Sequence, residues 1–421
     1  MPTGDGLGLA EAKSPQEVEV VTYISHLECP KCGRSYAPFQ PNNVCQCGAP
    51  LLVRYNLGEM ARSISRRELK RRKPGMWKYA DFLPVANEDN IVSLGEGGTP
   101  MLRTKSLGKA LGIDNLWIKD EGLNATGSFK ARGASCGISR CKELGIDKIA
   151  MPTAGNAGGA WSCYAAKAGI EAYIVMPVDA EKVPMLECYL SGAKTYLVKG
   201  LISDAGKIIA KGAAKYGWFD VSTLKEPYRI EGKKTMGLEI AEDFDWGAPD
   251  VILYPTGGGV GLIGIWKAYQ ELIEMGWVKG KMPKLVAVQA EGCMPIVQAY
   301  NEGKDHSEFW PNATTVAGGV RVPKALGDFL VLQAIRETGG TAIAISDPEL
   351  IEGVKLTALT EGMFICPEGG ATVAAARHLV QTGFIKPEDK VVILNTGTGL
   401  KYPDIIKPDL PVLEIGGEIV L

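Results

Sequence analysis

Histidine is scarce in this chain. Only His26, His306 and His378 occur among 421 residues. So few histidines, without a nearby partner in sequence, speak against a Cys–His nucleophile. Net charge is nearly absent too: 46 Lys and Arg against 48 Asp and Glu leave −2. No field therefore draws nucleic acid or an anionic membrane. No stretch reaches the roughly 20 apolar residues that span a bilayer. The start, Met1-Pro-Thr-Gly-Asp-Gly6, lacks the basic-then-apolar pattern of an export signal. The 10 cysteines are accordingly expected as reduced thiols in the cytoplasm. Internal repeats and low-complexity segments are also missing.

What is present is an ordinary globular composition, 46% hydrophobic and 22% charged, in a length suited to two or three domains. One lysine has an unusual setting. Lys130 follows the small polar loop Ala125-Thr-Gly-Ser128 and precedes Ala134, Ile138, Cys141 and Leu144, whose spacing marks one apolar helix face closed by Gly145. That puts Lys130 in the first turn of a packed helix. The positive end of the helix and partial desolvation both lower its pKa there. A neutral amine so placed can form an imine with an aldehyde cofactor; the plainer reading is a surface lysine.

From residue 146 onward, strands and helices alternate. Strands are expected at Lys148–Met151, Ala172–Met176, Thr195–Val198 and Trp218–Val221. A second series follows at Asp250–Tyr254, Leu285–Gln289, Thr341–Ile345 and Val391–Leu394. Short connections between them imply parallel sheets with right-handed crossovers. Thr256 and the run Gly257, Gly258, Gly259, Val260, Gly261 lie between a strand and a helix. There, backbone N–H groups face an anion, and any Cβ would hold a phosphate off. Gly259-Val-Gly-Leu-Ile-Gly264 also fits a dinucleotide fingerprint, with Glu291 at the end of the next strand. A Walker A loop is excluded at Gly232-Lys-Lys-Thr235, because Pro227 stands where glycine is required.

The segment Ser128-Phe-Lys-Ala-Arg-Gly133, preceded by Lys119-Asp-Glu-Gly-Leu-Asn-Ala-Thr-Gly127, resembles the cofactor-lysine segment of the pyridoxal-phosphate (PLP) enzymes of fold type II. Within that group it is most similar to threonine synthase. Gly95-Glu-Gly-Gly-Thr-Pro-Met-Leu102 and Gly397-Thr-Gly-Leu-Lys401 resemble the same family, so the likeness runs from about Cys29 to about Asp404. The resemblance implies two three-layer α/β domains with mainly parallel sheets, plus a small N-terminal cysteine-knuckle module. The expected bounds are 20–58 for the module, 60–127 with 238–421 for the large PLP-binding domain, and 128–237 for the small domain. It implies Lys130 as the imine-forming, catalytic lysine, and the 257–261 loop, with Phe129, Asn156 and Thr396, around the cofactor. Asn156 would bond the phenolic oxygen, or alternatively cap a helix. The Thr396 hydroxyl would face the pyridine nitrogen and leave the ring a weaker electron sink than a carboxylate would. Thr99, Thr153, Arg229 and Lys234 would bind substrate, here O-phosphohomoserine, and the products would be L-threonine and phosphate. The family suggests homodimers.

Several residues depart from the family pattern. Ala157-Gly-Gly-Ala160 replaces polar groups after Asn156, Glu226 stands where asparagine is usual, and Ala131 stands where aspartate is common. The alternative is therefore a PLP-dependent dehydratase or β-replacement enzyme acting on serine, threonine or O-phosphoserine. A non-catalytic regulatory relative and a nicotinamide enzyme are further alternatives. A carboxylate at 226 would repel a substrate phosphate unless it turned outward or paired with Arg229.

Cys29-Pro-Lys-Cys32-Gly33 and Cys45-Gln-Cys47-Gly48 form two cysteine pairs, each followed by glycine. Four thiolates fit a closed structural zinc site, although the second pair is one residue shorter than usual. Many threonine synthases carry a similar module. The basic run 60–74 reads as a solvated helix ended by Pro74, not a nucleic-acid arm, since no aromatic residue interleaves it. Cys136, Cys141, Cys163, Cys188, Cys293 and Cys366 show no metal spacing and are expected in cores.

Overall fold

Three sheets organise the chain in the computed structural model, which describes residues 22–419. The first is antiparallel and small: β1 (Ile24–Glu28) lies between β2 (Ser35–Tyr36) and β3 (Leu52–Tyr55). The chain then lays down β4 (Met101–Arg103) and β5 (Asn115–Asp120). Next it builds a separate four-stranded parallel sheet from β6 (Lys148–Pro152), β7 (Glu171–Pro177), β8 (Lys194–Val198) and β9 (Phe219–Asp220), in the order β8-β7-β6-β9. It returns through β10 (Val251–Pro255), β11 (Lys284–Ala290), β12 (Thr341–Ile345) and β13 (Lys390–Asn395). These join β5 and β4 in a six-stranded sheet ordered β12-β11-β10-β13-β5-β4, parallel except at the β4 edge.

The apolar strands explain the layering. In β10, Ile252 and Tyr254 join one core while Val251 and Leu253 join the other; β13 repeats this with Val392 and Leu394 against Val391 and Ile393. Alternate side chains of one strand thus feed two cores, which requires helices on both faces of the sheet. The small sheet does the same, with Ile149 and Met151 on one face and Ala150 on the other.

Three helices cross at the centre: Lys130–Glu143, Tyr228–Asp243 and Val260–Glu274. Their contacts run through glycines. A Cβ at Gly232 would overlap the Arg132 carbonyl, and one at Gly133 would lie 3.2 Å from the Arg229 carbonyl oxygen. A Cβ at Gly237 would come within 2.6 Å of Ala268 Cβ, and one at Gly264 within 2.8 Å of the Lys234 nitrogen. Side-chain-free contact faces let the backbones approach closely, so Lys130–Glu143 and Val260–Glu274 both pack against Tyr228–Asp243. The first of these helices is buried continuously from Ala131 to Cys141, beyond the single apolar face that its spacing implied. Tyr228–Asp243 runs across the domain limit expected at residue 237.

The basic run forms two short helices, Leu57–Ser63 and Arg66–Arg71, instead of one. Ser65 interrupts them, because its hydroxyl accepts the Glu68 N–H at 3.2 Å and starts the second helix. Met60, Ile64 and Leu69 are buried beneath the exposed Arg62, Arg67 and Lys70. No helix among the described residues is long and apolar enough to cross a membrane.

Candidate active site

Lys130 is the first residue of its helix and is half-buried. Two loops far apart in sequence are laced together just before it. The Phe129 N–H donates to the Thr396 carbonyl at 3.0 Å, and the Thr398 N–H donates to the Gly127 carbonyl at 2.9 Å. The loop after β13 thereby fixes the entry to the lysine helix, and Thr396 comes to lie beside Phe129. On the other side, the Phe129 ring meets the Tyr254 ring edge-on at 6.1 Å. Tyr254 is the next-to-last residue of β10, three positions before the glycine run, so that run lies near the Lys130 loop.

Each glycine in the run answers to a protein neighbour. A Cβ at Gly257 would meet the Gly319 carbonyl and Val322, one at Gly258 the Thr223 methyl at 2.9 Å, one at Gly259 Val331, and one at Gly261 the Tyr254 hydroxyl. Packing of the loop, not only space for a phosphate, therefore demands glycine there. Gly259 also has φ +75°, which disfavours any other residue, and it leads directly into the helix at Val260. The result is a run of backbone N–H groups at a helix start, which suits a phosphate monoester.

Asn156 begins the helix Asn156–Ala168, whose cap is Gly155. The capping alternative is thus not what its side chain does. Its amide donates to the Tyr402 hydroxyl at 2.9 Å, while Oδ1 is buried with no partner. Thr153, expected to meet substrate, spends its hydroxyl on the loop itself, accepting from the N–H groups of Gly155 and Gly158 at 3.3 and 3.1 Å. Tyr402 in turn donates to Glu368 Oε1 at 3.1 Å, which also accepts the Gly319 N–H at 2.7 Å. Cys366 is buried, as expected of a core cysteine, and it also lies here. It precedes the helix Pro367–Gln381 with its sulfur 3.7 Å from the Thr396 hydroxyl. A ring therefore runs from Lys130 through Phe129, Thr396, Cys366, Glu368 and Tyr402 to Asn156.

Electrostatics around Lys130 follow from this enclosure. Burial, and then the guanidinium of Arg229, pull its amine down to about 8, while Glu368, Glu181 and Cys366 act in the opposite sense. Desolvation was legible in the sequence; Arg229 as a repelling neighbour was not. Arg229 itself is buried over the Trp161 ring at 4.9 Å and paired with Glu226. Glu226 also accepts the Tyr228 and Arg229 N–H groups at 2.8 and 3.0 Å. The pairing with Arg229 is the arrangement that lets a carboxylate stand at 226.

Two expected substrate contacts lie elsewhere. Lys234 points away, wholly buried between Glu231 and Glu271 at 2.6 and 2.8 Å and under the Tyr55 ring. Helical geometry explains the correction: its neighbour Lys233 faces the site and donates to the Phe129 carbonyl. Burial, then Lys130, hold the Lys233 amine well below its usual range. Thr99 donates to Glu121 at 2.6 Å and accepts from Arg132 at 3.0 Å, inside a buried network behind the Lys130 loop.

The residues fit PLP on their own chemistry. An amine near pH 8, a glycine run at a helix start, and buried, unpartnered oxygens on Ser128, Asn156 and Glu368 await a polar ligand. The sequence profile of a family described as pyridoxal-phosphate dependent enzyme matches residues 92–397. This chain belongs to the PLP-dependent enzymes of fold type II. Threonine synthase of Methanocaldococcus jannaschii is 35% identical over 377 residues, covering 89% of this chain and 93% of that protein. Threonine synthase of Methanosarcina acetivorans is 35% identical over 385 residues, covering 90% and 93%. Within the fold type II family the chain is threonine-synthase-like. Among solved structures, maize serine racemase aligns with a TM-score of 0.62 at 22% identity, covering 72% of this chain and 88% of that one. Tomato threonine deaminase isoform 2 aligns with 0.61 at 20% identity, covering 73% and 86%. At such identities these two matches show the shared fold. PLP is the cofactor of this family, and the chain is a PLP-dependent lyase.

The PLP enzyme also carries its cysteine module in metal-ready form. The four ligand atoms of Cys29, Cys32, Cys45 and Cys47 lie within 4.8 Å of one another. Cys29 and Cys47 sulfurs are 3.5 Å apart, and Cys32 and Cys45 sulfurs 3.6 Å. A tetrahedral zinc with bonds of about 2.3 Å sets sulfur–sulfur edges of about 3.8 Å. The short second pair closes because Gly48, at φ +82°, returns its N–H to the Cys45 carbonyl at 2.8 Å, matching Gly33 at φ +71° over Cys29 at 2.9 Å. The module braces the site from outside. Asn43 donates to the Asp220 and Lys225 carbonyls, each at 2.8 Å, on the segment that leads to Arg229. Purified protein is expected to hold one zinc per chain by metal analysis. Cys32→Ser is expected to release it and lower the melting midpoint by roughly 5 °C. An unchanged midpoint in metal-free protein would mean that zinc is not structural here.

Proposed function

We propose that this PLP enzyme is a threonine synthase, converting O-phosphohomoserine and water to L-threonine and phosphate. The observation that carries the chemistry is Lys130, next to Phe129, which bonds Thr396 and meets Tyr254 ahead of the glycine run, with its amine drawn down to about 8. Threonine synthases at 35% identity over most of both chains support the substrate.

The 257–261 amides would hold the cofactor phosphate, Asn156 the phenolic oxygen, Thr396 the ring nitrogen, and Lys130 the aldehyde. Once bound, PLP supplies the electron sink that makes protons on the substrate's carbon chain removable. Lys130 Nζ, freed when a substrate amine replaces it, is placed to take and return protons. Arg229 would meet the substrate phosphate through Nη1, whose protein bond to Thr223 is long at 3.4 Å. We place this reaction in the cytoplasm, in a homodimer.

A dehydratase or β-replacement reading is favoured by two observations. Residues 157–160 offer no hydroxyl, and Arg229 already serves Glu226. The test is to supply O-phosphohomoserine, O-phosphoserine, serine and threonine separately and follow phosphate, threonine and keto acid. The proposal expects threonine and phosphate from O-phosphohomoserine in equal amounts. Keto acid from serine or threonine, with O-phosphohomoserine inert, would replace it with the second reading.

A further inference from the structure

One wall of the site carries two carboxylates that no local sequence pattern marks. Glu181 and Glu368 come from elements far apart in sequence, yet they abut consecutive glycines of one loop. A Cβ at Gly318 would overlap Glu181 Oε1, and one at Gly319 would come within 2.6 Å of Glu368 Oε1. Glu181 Oε2 would also lie 3.3 Å from a Cβ at Gly155, next to Asn156. So Glu181 sits between the Asn156 loop and the 318–319 loop. Each glutamate keeps one buried oxygen, Oε2, without any partner. Glu368 is 3% exposed and fixed through Oε1 by the Gly319 N–H and the Tyr402 hydroxyl.

An unpartnered buried oxygen is costly, and native structures seldom keep one without a use. Glu368 is already positioned as an acceptor. Glu181 has no hydrogen bond at its buried oxygen and faces the same space as Lys130. The groups facing Glu181 are Glu368, Lys401, Arg321 and Lys130. Burial, then the nearby Glu368, push the Glu181 carboxyl up to about 8, so near neutral pH it carries a proton that it can give and recover.

We propose that Glu181 is a second proton carrier of this active site, handling the Cγ and water protons while Lys130 handles Cα. The assignment rests on the threonine synthase reading. Lys130 Nζ takes a proton from Cα and later returns one. The proton lost from Cβ leaves with the phosphate when the Cγ–O bond breaks. Glu181 gives its proton to Cγ. As a carboxylate it then takes one from the water whose oxygen bonds Cβ, and so ends protonated as it began. The transfers balance with no oxidant or reductant.

The experiment uses PLP-loaded wild type, E181Q, E181D and E368Q. For E181Q, threonine release is expected to fall about a hundredfold. Exchange of the Cα hydrogen for deuterium, followed by NMR, is expected to persist at the wild-type rate. E181D should recover part of the release, and the alkaline limb of the wild-type pH profile should vanish in E181Q. A readout without substrate is the pH titration of the absorbance of the lysine-bound cofactor. Both carboxylates favour the protonated form of the nitrogen, Glu181 once it ionises above about pH 8, so both Gln variants should lose that form at lower pH than wild type. The proposal is overturned if E181Q releases threonine at the wild-type rate, if it loses Cα exchange together with release, or if neither titration moves. Should wild type release no phosphate from O-phosphohomoserine while the titrations shift downward, the substrate reading fails and the placement of Glu181 stands. Phosphate release with unmoved titrations would keep the substrate and remove Glu181 from the proton path.

Discussion

Lys130→Ala is expected to yield a colourless protein with no borohydride-sensitive absorbance and a kcat lower by roughly four orders of magnitude. The size follows from position. The amine is the only lysine nitrogen at this helix start with a pKa drawn down to about 8, and it can serve both as attachment point and as proton carrier. Lys130→Arg should lose as much, because a guanidinium stays protonated and forms no imine. The pH dependence of loading has a definite sign. Only the neutral amine attacks the aldehyde, and its fraction rises with pH. Reconstitution of the PLP-free protein should therefore accelerate about tenfold per unit below pH 8 and level off above it, as absorbance would record. A Lys130→Ala protein that remained yellow after dialysis would place the attachment at another lysine, and Lys233 would be the first to test.

Arg132→Leu is expected to destabilise the fold by about 3–5 kcal/mol, or to prevent soluble expression. Arg132 is wholly buried two residues past the lysine. It bonds Glu121 at 2.6 and 2.8 Å and Glu239 at 2.6 and 2.7 Å, and it also meets Thr99 and Thr235 at 3.0 and 2.9 Å. Burial alone would raise both carboxyls, but Arg132 and Lys119 outweigh it and hold them below the usual range. Carboxyls held low in the folded state contribute stability that is complete above their unfolded pKa of about 4.3 and drains away as pH falls through the folded values. Without Arg132 the two carboxylates remain buried with only Lys119 to balance them. The variant should then lose stability as pH rises, the reverse of the wild-type acid dependence. Urea titration at two pH values measures both size and sign. Equal midpoints for variant and wild type would mean that water reaches the network and replaces the guanidinium.

Much of this enzyme was legible in its residues. The alternation after residue 146 matched strands where β6 to β9 and β10 to β13 stand; the inner ones, such as β10 and β13, are buried on both faces and need a continuous apolar run. The Lys130 helix and the glycine run were legible because local backbone demands, a helix start and a glycine at positive φ, leave local marks. Glu181, Glu368, Cys366 and Tyr402 left none. A lone glutamate before a helix looks the same in sequence whether it meets solvent or another carboxylate. Lys233 and Lys234 were confused for a related reason. Adjacent residues on a helix differ by about 100° in direction, and choosing between them requires knowing which side faces the site.

The sequence by itself determined the strand and helix order after residue 146, the helix start at Lys130 and the four-thiolate cluster, since these depend on residue type and short-range spacing. Only the tertiary structure decided that Glu226 pairs with Arg229, that Thr99 and Thr153 bond within the scaffold, and that two distant glutamates meet consecutive glycines of one loop. Such pairings arise where glycine-lined helices bring remote backbones into contact, and the distance between two side chains is then set by packing rather than by their separation along the chain.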